Sequence, residues 1–278
     1  MGGRGPSSGR KSPPTPRPTP QPKPQPAPKP QPRPKPQPRP KPAPKSKVIQ
    51  LDKMDDAQLT AFVGKAMRAK IPPGFHDDIT QRMILAAQWN DKPNVVTASQ
   101  AEADAKKRGA VVIYRTVNYN GRLRTSADKV ADDFRSGDSF NTGGHGGQMY
   151  GGGAYFSSSL RGSKAYGSRY NGGAPHTIGG VLNSKAKVVD MTDLYGAMGK
   201  NWIKQHPAAA KKLGFYKDSY GRIRSKHSMG SYTAMAMAMG YNVVRNKVRS
   251  TESYYTVLDR SAVTTSSKDY YSASKGMR

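Results

Sequence analysis

The chain has 278 residues, of which 46 are Lys or Arg and 18 are Asp or Glu, giving a net charge of +28. That charge favours solubility and draws polyanions without choosing among nucleic acid, nucleotide phosphates and anionic lipid. The absence of cysteine excludes disulfides, thiolate metal sites and a cysteine nucleophile, and no apolar run nears the roughly 20 residues that span a bilayer or supplies the core of a signal peptide.

Residues 1–47 hold 18 of the 23 prolines and 12 Lys/Arg, with no acidic residue. From Pro13 to Pro44 proline takes nearly every second position, which fixes φ repeatedly and halves the backbone donors. The segment reads as a disordered basic arm in polyproline II form, reaching on the order of 100 Å at about 3.1 Å per residue. It is either a spacer or a non-specific nucleic-acid binder acting through phosphates. Beyond it 34 basic residues face all 18 acidic ones, still +16.

Residues 48–109 read as a small helical lobe. Leu59, Phe62, Val63, Ala66 and Met67 make one apolar helical stripe after the start signals Asp52 and Asp55. A second helix is expected over Ile79–Trp89, separated from the first by Pro72-Pro73-Gly74 and closed by Lys92-Pro93.

Residues 110–265 read as the core. Ala110–Val117 is short, apolar and β-branched, a buried strand with one misfit, Arg115. Ser126 caps a short helix carrying Ala127, Val130, Ala131 and Phe134. Gly137 to Gly153 contains eight glycines in 17 residues and is expected to be a loop. Strands follow over Ala154–Ser158, Gly179–Leu182 and Ala186–Asp190, then a helix over Asp193–Lys212 interrupted near Pro207. His227–Met239 is ambiguous, because Met235, Met237 and Met239 alternate at period two while Ala and Met favour helix; helix is the reading, ended by Gly240. Tyr241–Arg245 and Tyr254–Asp259 are strands, the chain from Thr264 is read as loose and polar, and 266–278 as a flexible tail. Many short strands with few helices between them disfavour a doubly wound sheet, so the class is α+β.

Common signatures are absent: no phosphate loop of the G-x-x-x-x-G-K-[ST] kind, no G-x-G-x-x-G after a strand, no G-x-S-x-G elbow, and no metal-like spacing among the five histidines. No metal is expected. What remains is Arg115, the run Gly147-Gln148-Met149-Tyr150-Gly151-Gly152-Gly153-Ala154-Tyr155-Phe156-Ser157-Ser158-Ser159 with Ser163 and Tyr166 behind it, and Glu252 at the head of a late strand.

These residues resemble the ADP-ribosyltransferase superfamily. The Gly147–Tyr166 segment is similar to the G-Y-M-F-G-K-G-I-Y-F stretch of the poly-ADP-ribose type. Tyr114-Arg115 resembles the first-strand Y-R of the arginine-serine-glutamate class, and Phe156-Ser157-Ser158-Ser159 its F-x-S-T-S. The Ser250–Asp259 segment is similar to the glutamate-bearing strand of both. The likeness runs from Ala110 to Val263, and Asp91–Val96 together with Met239–Ala262 also resembles transferase-like proteins encoded by bacteriophages.

The resemblance implies a split β-sheet core and a mono-ADP-ribosyltransferase that uses NAD as substrate, releases nicotinamide and modifies a macromolecular acceptor, protein or nucleic acid. It implies Glu252, Arg115 and Ser157 as catalytic residues, and Arg115, Thr116, Gly153, Tyr155 and Ser163 as the NAD-binding set. A carboxylate suits charge that develops on the ribose as the nicotinamide bond breaks, a strand-mounted guanidinium suits pyrophosphate, and an aromatic ring suits nicotinamide. Gln148, where the poly-ADP-ribose type has Tyr, and Arg115, where it has His, argue against polymer elongation; Ser250 leaves the acceptor open. The implied location is a host cytoplasm or a phage virion, with no membrane partner. Two other readings stand beside it: a non-catalytic phage-virion-like structural or DNA-binding protein with the same fold, and an NAD glycohydrolase.

Overall fold

A computed structural model describes residues 49–71, 77–89, 92–117, 126–137, 152–168 and 175–267, the side chains of 166–168 excepted. The Pro-rich arm, most of the glycine-rich loop (138–151) and residues 268–278 lie outside them. The described elements belong to one compact unit, Lys45–Arg278.

Elements appear in the order α1 (Asp56–Arg68), α2 (Ile79–Ala87), β1 (Asn94–Val96), α3 (Ala98–Ala105), β2 (Val112–Val117), α4 (Ala127–Ser136), β3 (Ala154–Ser157), α5 (Leu160–Ser168), β4 (His176–Leu182) and β5 (Val188–Asp190). Then come α6 (Met191–Tyr195), α7 (Ala197–Gln205), α8 (Pro207–Lys212), β6 (Phe215–Lys217), β7 (Ile223–Ser225), α9 (Met229–Ala238), β8 (Val243–Arg249), β9 (Glu252–Val257) and β10 (Val263–Ser266). The class is α+β. Among the described residues no helix is long and apolar enough to cross a membrane.

Local chemistry sets these boundaries. Asp55 and Gln58 form a reciprocal capping box, the Gln58 amide donating to Asp55 Oδ1 at 2.8 Å and the Asp55 amide to Gln58 Oε1 at 3.2 Å. Pro207 opens α8, whose first amides, those of Ala208 and Ala209, donate to the Asp56 carboxylate on α1. That contact docks α8 against α1. The Ala/Met run of α9 is helix, buried on nearly every side, and Gly240 ends it at φ +84°.

Eight strands form one mostly antiparallel sheet in the order β1-β10-β4-β2-β3-β9-β8-β5; β6 and β7 form a separate hairpin. The large sheet cannot be flat. β4 and β5 stand five strand steps apart, about 24 Å in a flat sheet. The connection from Leu182 to Val188 reaches about 20 Å at full extension, and part of it is a turn. The ladder is thinnest between β2 and β3, which share the single pair Tyr114↔Ser157, whereas β2 and β4 pair over six residues and β3 and β9 over four. Strands on both sides of this thin point contribute to one core, with Ile113, Phe134, Phe156, Ile178, Val243 and Val263.

A second core lies among helices α1, α2 and α6–α9, with Leu59, Met83, Leu194, Trp202, Met235 and Met237, and reaches Val189, Val244 and Leu258 on the outer side of the sheet. Two sequence expectations are corrected here. The segment 48–109 is not a separate helical lobe: α1 and α2 share their core with later helices, and β1 joins the main sheet. The chain from Thr264 is not loose either, because Thr264, Thr265 and Ser266 are buried in β10, which pairs with β1 and β4. Thr265 Oγ1 donates to the Gly179 carbonyl at 2.7 Å, and Thr264 Oγ1 accepts from the Asn94 side chain at 3.3 Å.

Candidate active site

Strand alternation sorts the candidate residues. On β2, Ile113, Arg115 and Val117 take one face, Tyr114 and Thr116 the other. Register places Tyr114 opposite Ser157, Ser157 opposite Tyr254, and Tyr155 opposite Thr256, so Tyr155, Ser157 and Glu252 share the face of Tyr114 and Thr116. Helix α5 covers this face.

The run Ser157-Ser158-Ser159 divides three tasks. Ser157, only 3% exposed, accepts the Ser159 amide at 2.9 Å, and its hydroxyl donates to Glu252 Oε1 at 2.9 Å. The Ser157 hydroxyl thus accepts on one side and donates on the other, with the carboxylate as its acceptor. Ser158 exchanges hydrogen bonds with Ser253, its amide donating to the Ser253 carbonyl and its Oγ accepting the Ser253 amide, each at 2.9 Å. Ser159 caps α5, its Oγ accepting the Gly162 amide at 3.0 Å. Glu252 is thus set by a serine, and the serine by the turn into α5.

Gly162 completes the arrangement. A Cβ there would lie 1.9 Å from Glu252 Oε1 and 3.1 Å from Ser157 Oγ, so glycine is what leaves the carboxylate in this position; a methyl group would displace it. The sequence reading did not single out Gly162, although Ser159 three residues before it is a legible cap signal. Tyr114, which the sequence reading names only as part of the Y-R pair and gives no role, is half-buried opposite Ser157, and burial pushes its hydroxyl above the ordinary tyrosine range.

The remaining candidates fall in different places. Thr116 and Ser163 meet directly, their hydroxyls 3.0 Å apart, with Thr177 Oγ1 also 3.0 Å from Thr116; they pin α5 to β2 and β4. Gly153, at φ +130°, is required by its strand neighbour: a Cβ would stand 2.8 Å from Thr256 Cγ2 and 3.0 Å from the Val257 carbonyl oxygen. Arg115 is not brought to Glu252. It starts from the opposite face, and its Nη1 donates to the Tyr155 carbonyl at 3.1 Å, bridging the seam where the β2–β3 ladder stops. The side chain of Tyr166 and residues Gly147–Gly151 lie outside the described residues.

No family model, curated protein or solved structure matches the chain. The assignment of chemistry therefore rests on the residues themselves. Among the described residues no group of three His, Cys, Asp or Glu is placed to hold a metal ion. What the geometry offers is a carboxylate oriented by a buried hydroxyl, beside tyrosines on one sheet face, next to the seam where β2 and β3 share a single residue pair.

Proposed function

We propose that the chain is a mono-ADP-ribosyltransferase of the ADP-ribosyltransferase superfamily, transferring ADP-ribose from NAD to a macromolecular acceptor. The observation that carries this reading is the hydrogen bond from Ser157 to Glu252, on adjacent strands β3 and β9, with β2 and its Arg115 next in order. In the reaction the bond from nicotinamide nitrogen to ribose C1′ breaks, the electron pair leaves with neutral nicotinamide, and the acceptor nucleophile bonds to C1′ and loses a proton. Glu252 stabilises the positive charge that appears on the ribose in between. Ser157 keeps the carboxylate aimed, and Tyr155 on the same face is the aromatic platform for nicotinamide. In this reading Arg115 acts structurally, its Nη1 bond to the Tyr155 carbonyl tying β2 to the strand that carries the aromatic platform.

The test is label transfer from adenylate-labelled NAD to lysate acceptors, alongside calorimetric NAD titration. Glu252→Gln is expected to lower transfer by about 10²- to 10³-fold while NAD affinity stays within a few-fold. Undiminished transfer in that variant overturns the assignment. Free ADP-ribose with no labelled acceptor selects the glycohydrolase reading. One observation favours the non-catalytic structural or DNA-binding reading: Arg115 is hydrogen-bonded inside the sheet, on the face away from Glu252. That reading predicts neither transfer nor NAD binding.

A further inference from the structure

The stretch from Gly196 to Thr251 contains eleven Lys/Arg and a single acidic residue, Asp218. Its centre is the β6–β7 hairpin. Lys211 and Lys212 at the end of α8, then Lys217, Arg222, Arg224 and Lys226, are all exposed. Aromatic rings lie among them: Tyr220 is 80% exposed at the turn and Tyr216 47% exposed on β6, while the Arg222 guanidinium stacks 4.8 Å from the Tyr220 ring centre.

The one acidic residue organises the turn. Asp218 Oδ1 accepts the amides of Tyr220 and Arg222 at 3.0 and 2.9 Å, and Oδ2 accepts Nε of Arg222 and of Arg224 at 2.8 and 3.0 Å. Both guanidiniums are thereby fixed at the hairpin end, each with four further N–H donors. Beside them is a cavity of about 310 Å³ lined by Tyr195, Tyr216, Ile223, Arg224, Ser228 and Tyr232. Its wall is an aromatic cluster, Tyr232 packing edge-on against Tyr195 and Phe215 with centroids 4.4 and 5.0 Å apart. Ser228, at φ +48° and ψ −129°, is a non-glycine residue with positive φ at the rim, a kind of strain that gathers at ligand sites.

We infer that the β6–β7 hairpin and this cavity bind single-stranded nucleic acid, with bases stacking on Tyr220 and Tyr216 and phosphates on the surrounding Lys and Arg. Cation rows alone suit any polyanion. Exposed tyrosines beside a concave aromatic wall add a stacking surface that an unpaired base can use and a duplex cannot. The proposal is independent of ADP-ribosyl transfer and holds under either reading of Glu252.

The experiment uses the full chain, a labelled deoxythymidine strand in which some bases are bromouracil, and the same strand annealed to its complement. Irradiation is expected to place adducts on peptides containing Tyr216 or Tyr220, and the single strand should outcompete the duplex. Tyr220→Ala, at an exposed turn, should weaken single-strand binding about tenfold with an unchanged melt. Lys217→Gln with Lys226→Gln should reduce the slope of log K against log salt by about 0.7 per lost contact. Adducts confined to residues 1–47, equal affinity for duplex, or unaltered binding in all these variants would each overturn the proposal.

Discussion

The helical core under α9 and the seam at Ser157 lie on the same sheet yet are made of different material. Around Met235 and Met237 the packing is almost wholly apolar: Leu59, Met83, Leu194, Trp202 and Leu213 fill it with few polar atoms. At the seam, Thr116, Ser163 and Thr177 pack hydroxyl against hydroxyl, and the Ser157 hydroxyl donates separately to Glu252. Apolar burial tolerates imprecision of position and yields stability in proportion to area. A polar seam yields less net stability per contact but fixes directions, which is what a reacting carboxylate requires. The difference teaches where to expect losses of fold and where to expect losses of chemistry.

Substitutions sharpen that contrast. The largest effect is expected from Met235→Ala, which empties a fully buried site in α9: about 2–5 kcal/mol of unfolding free energy should go, read by urea melts, while transfer per folded molecule is unchanged. An equal loss of activity per folded molecule would show that the two regions are not separable. Next is Gly162→Ala. Its methyl group collides with Glu252 Oε1, so transfer should fall by about 10²-fold for a stability cost of only about 1–3 kcal/mol. Activity near wild type there would mean that the carboxylate has no fixed position to lose.

The smallest effect is electrostatic, at the β5–β8 edge. Hydrogen bonding from Arg245 holds the Asp190 carboxyl below its ordinary 3.8, outweighing desolvation, with the charges of Arg245 and Lys247 adding to it. A depressed carboxyl contributes stability above its unfolded pKa and loses it as pH falls through the folded value. The contribution is therefore present at neutral pH and fades below about 4. Both partners are partly exposed, so it should amount to roughly 0.5–1 kcal/mol. Melts of wild type and Asp190→Asn should differ at pH 6 and draw together as the pH falls below about 4; a constant gap would place the effect in packing instead.

Much of the fold is legible in the chain because local signals agree with burial. The α1 stripe is preceded by a capping residue, β2 is a β-branched run, and Gly240 stops α9. Misses occur where tertiary pairing overrides composition. β10 reads as polar because its hydroxyls are matched by partners far away in sequence, and α5 was passed over because Ser, Gly and Lys carry no apolar stripe. The same holds at the candidate site. Glu252 and Ser157 are visible as residues from the order of motifs, but their contact is not, and Arg115 shows the converse: its strand is right, and the alternation that turns it from Glu252 becomes apparent only with the register. Asp218 is invisible as an organiser because its three partner residues, Tyr220, Arg222 and Arg224, follow it within six residues in a turn that no periodicity announces.

The placement of β10 has a consequence for how the protein is made. Asn94 on β1 pairs with Thr264, 170 residues later, and β10 also seals the outer edge of β4. A ribosome adding 5–20 residues per second needs roughly 10–35 s to deliver that partner. Through this interval β1 has no partner, and once β4 has been made its outer edge is open as well, the condition that invites pairing with another chain. The sheet is closed by the last described strand to be synthesised, so the time before β10 emerges is when a chaperone has most to protect.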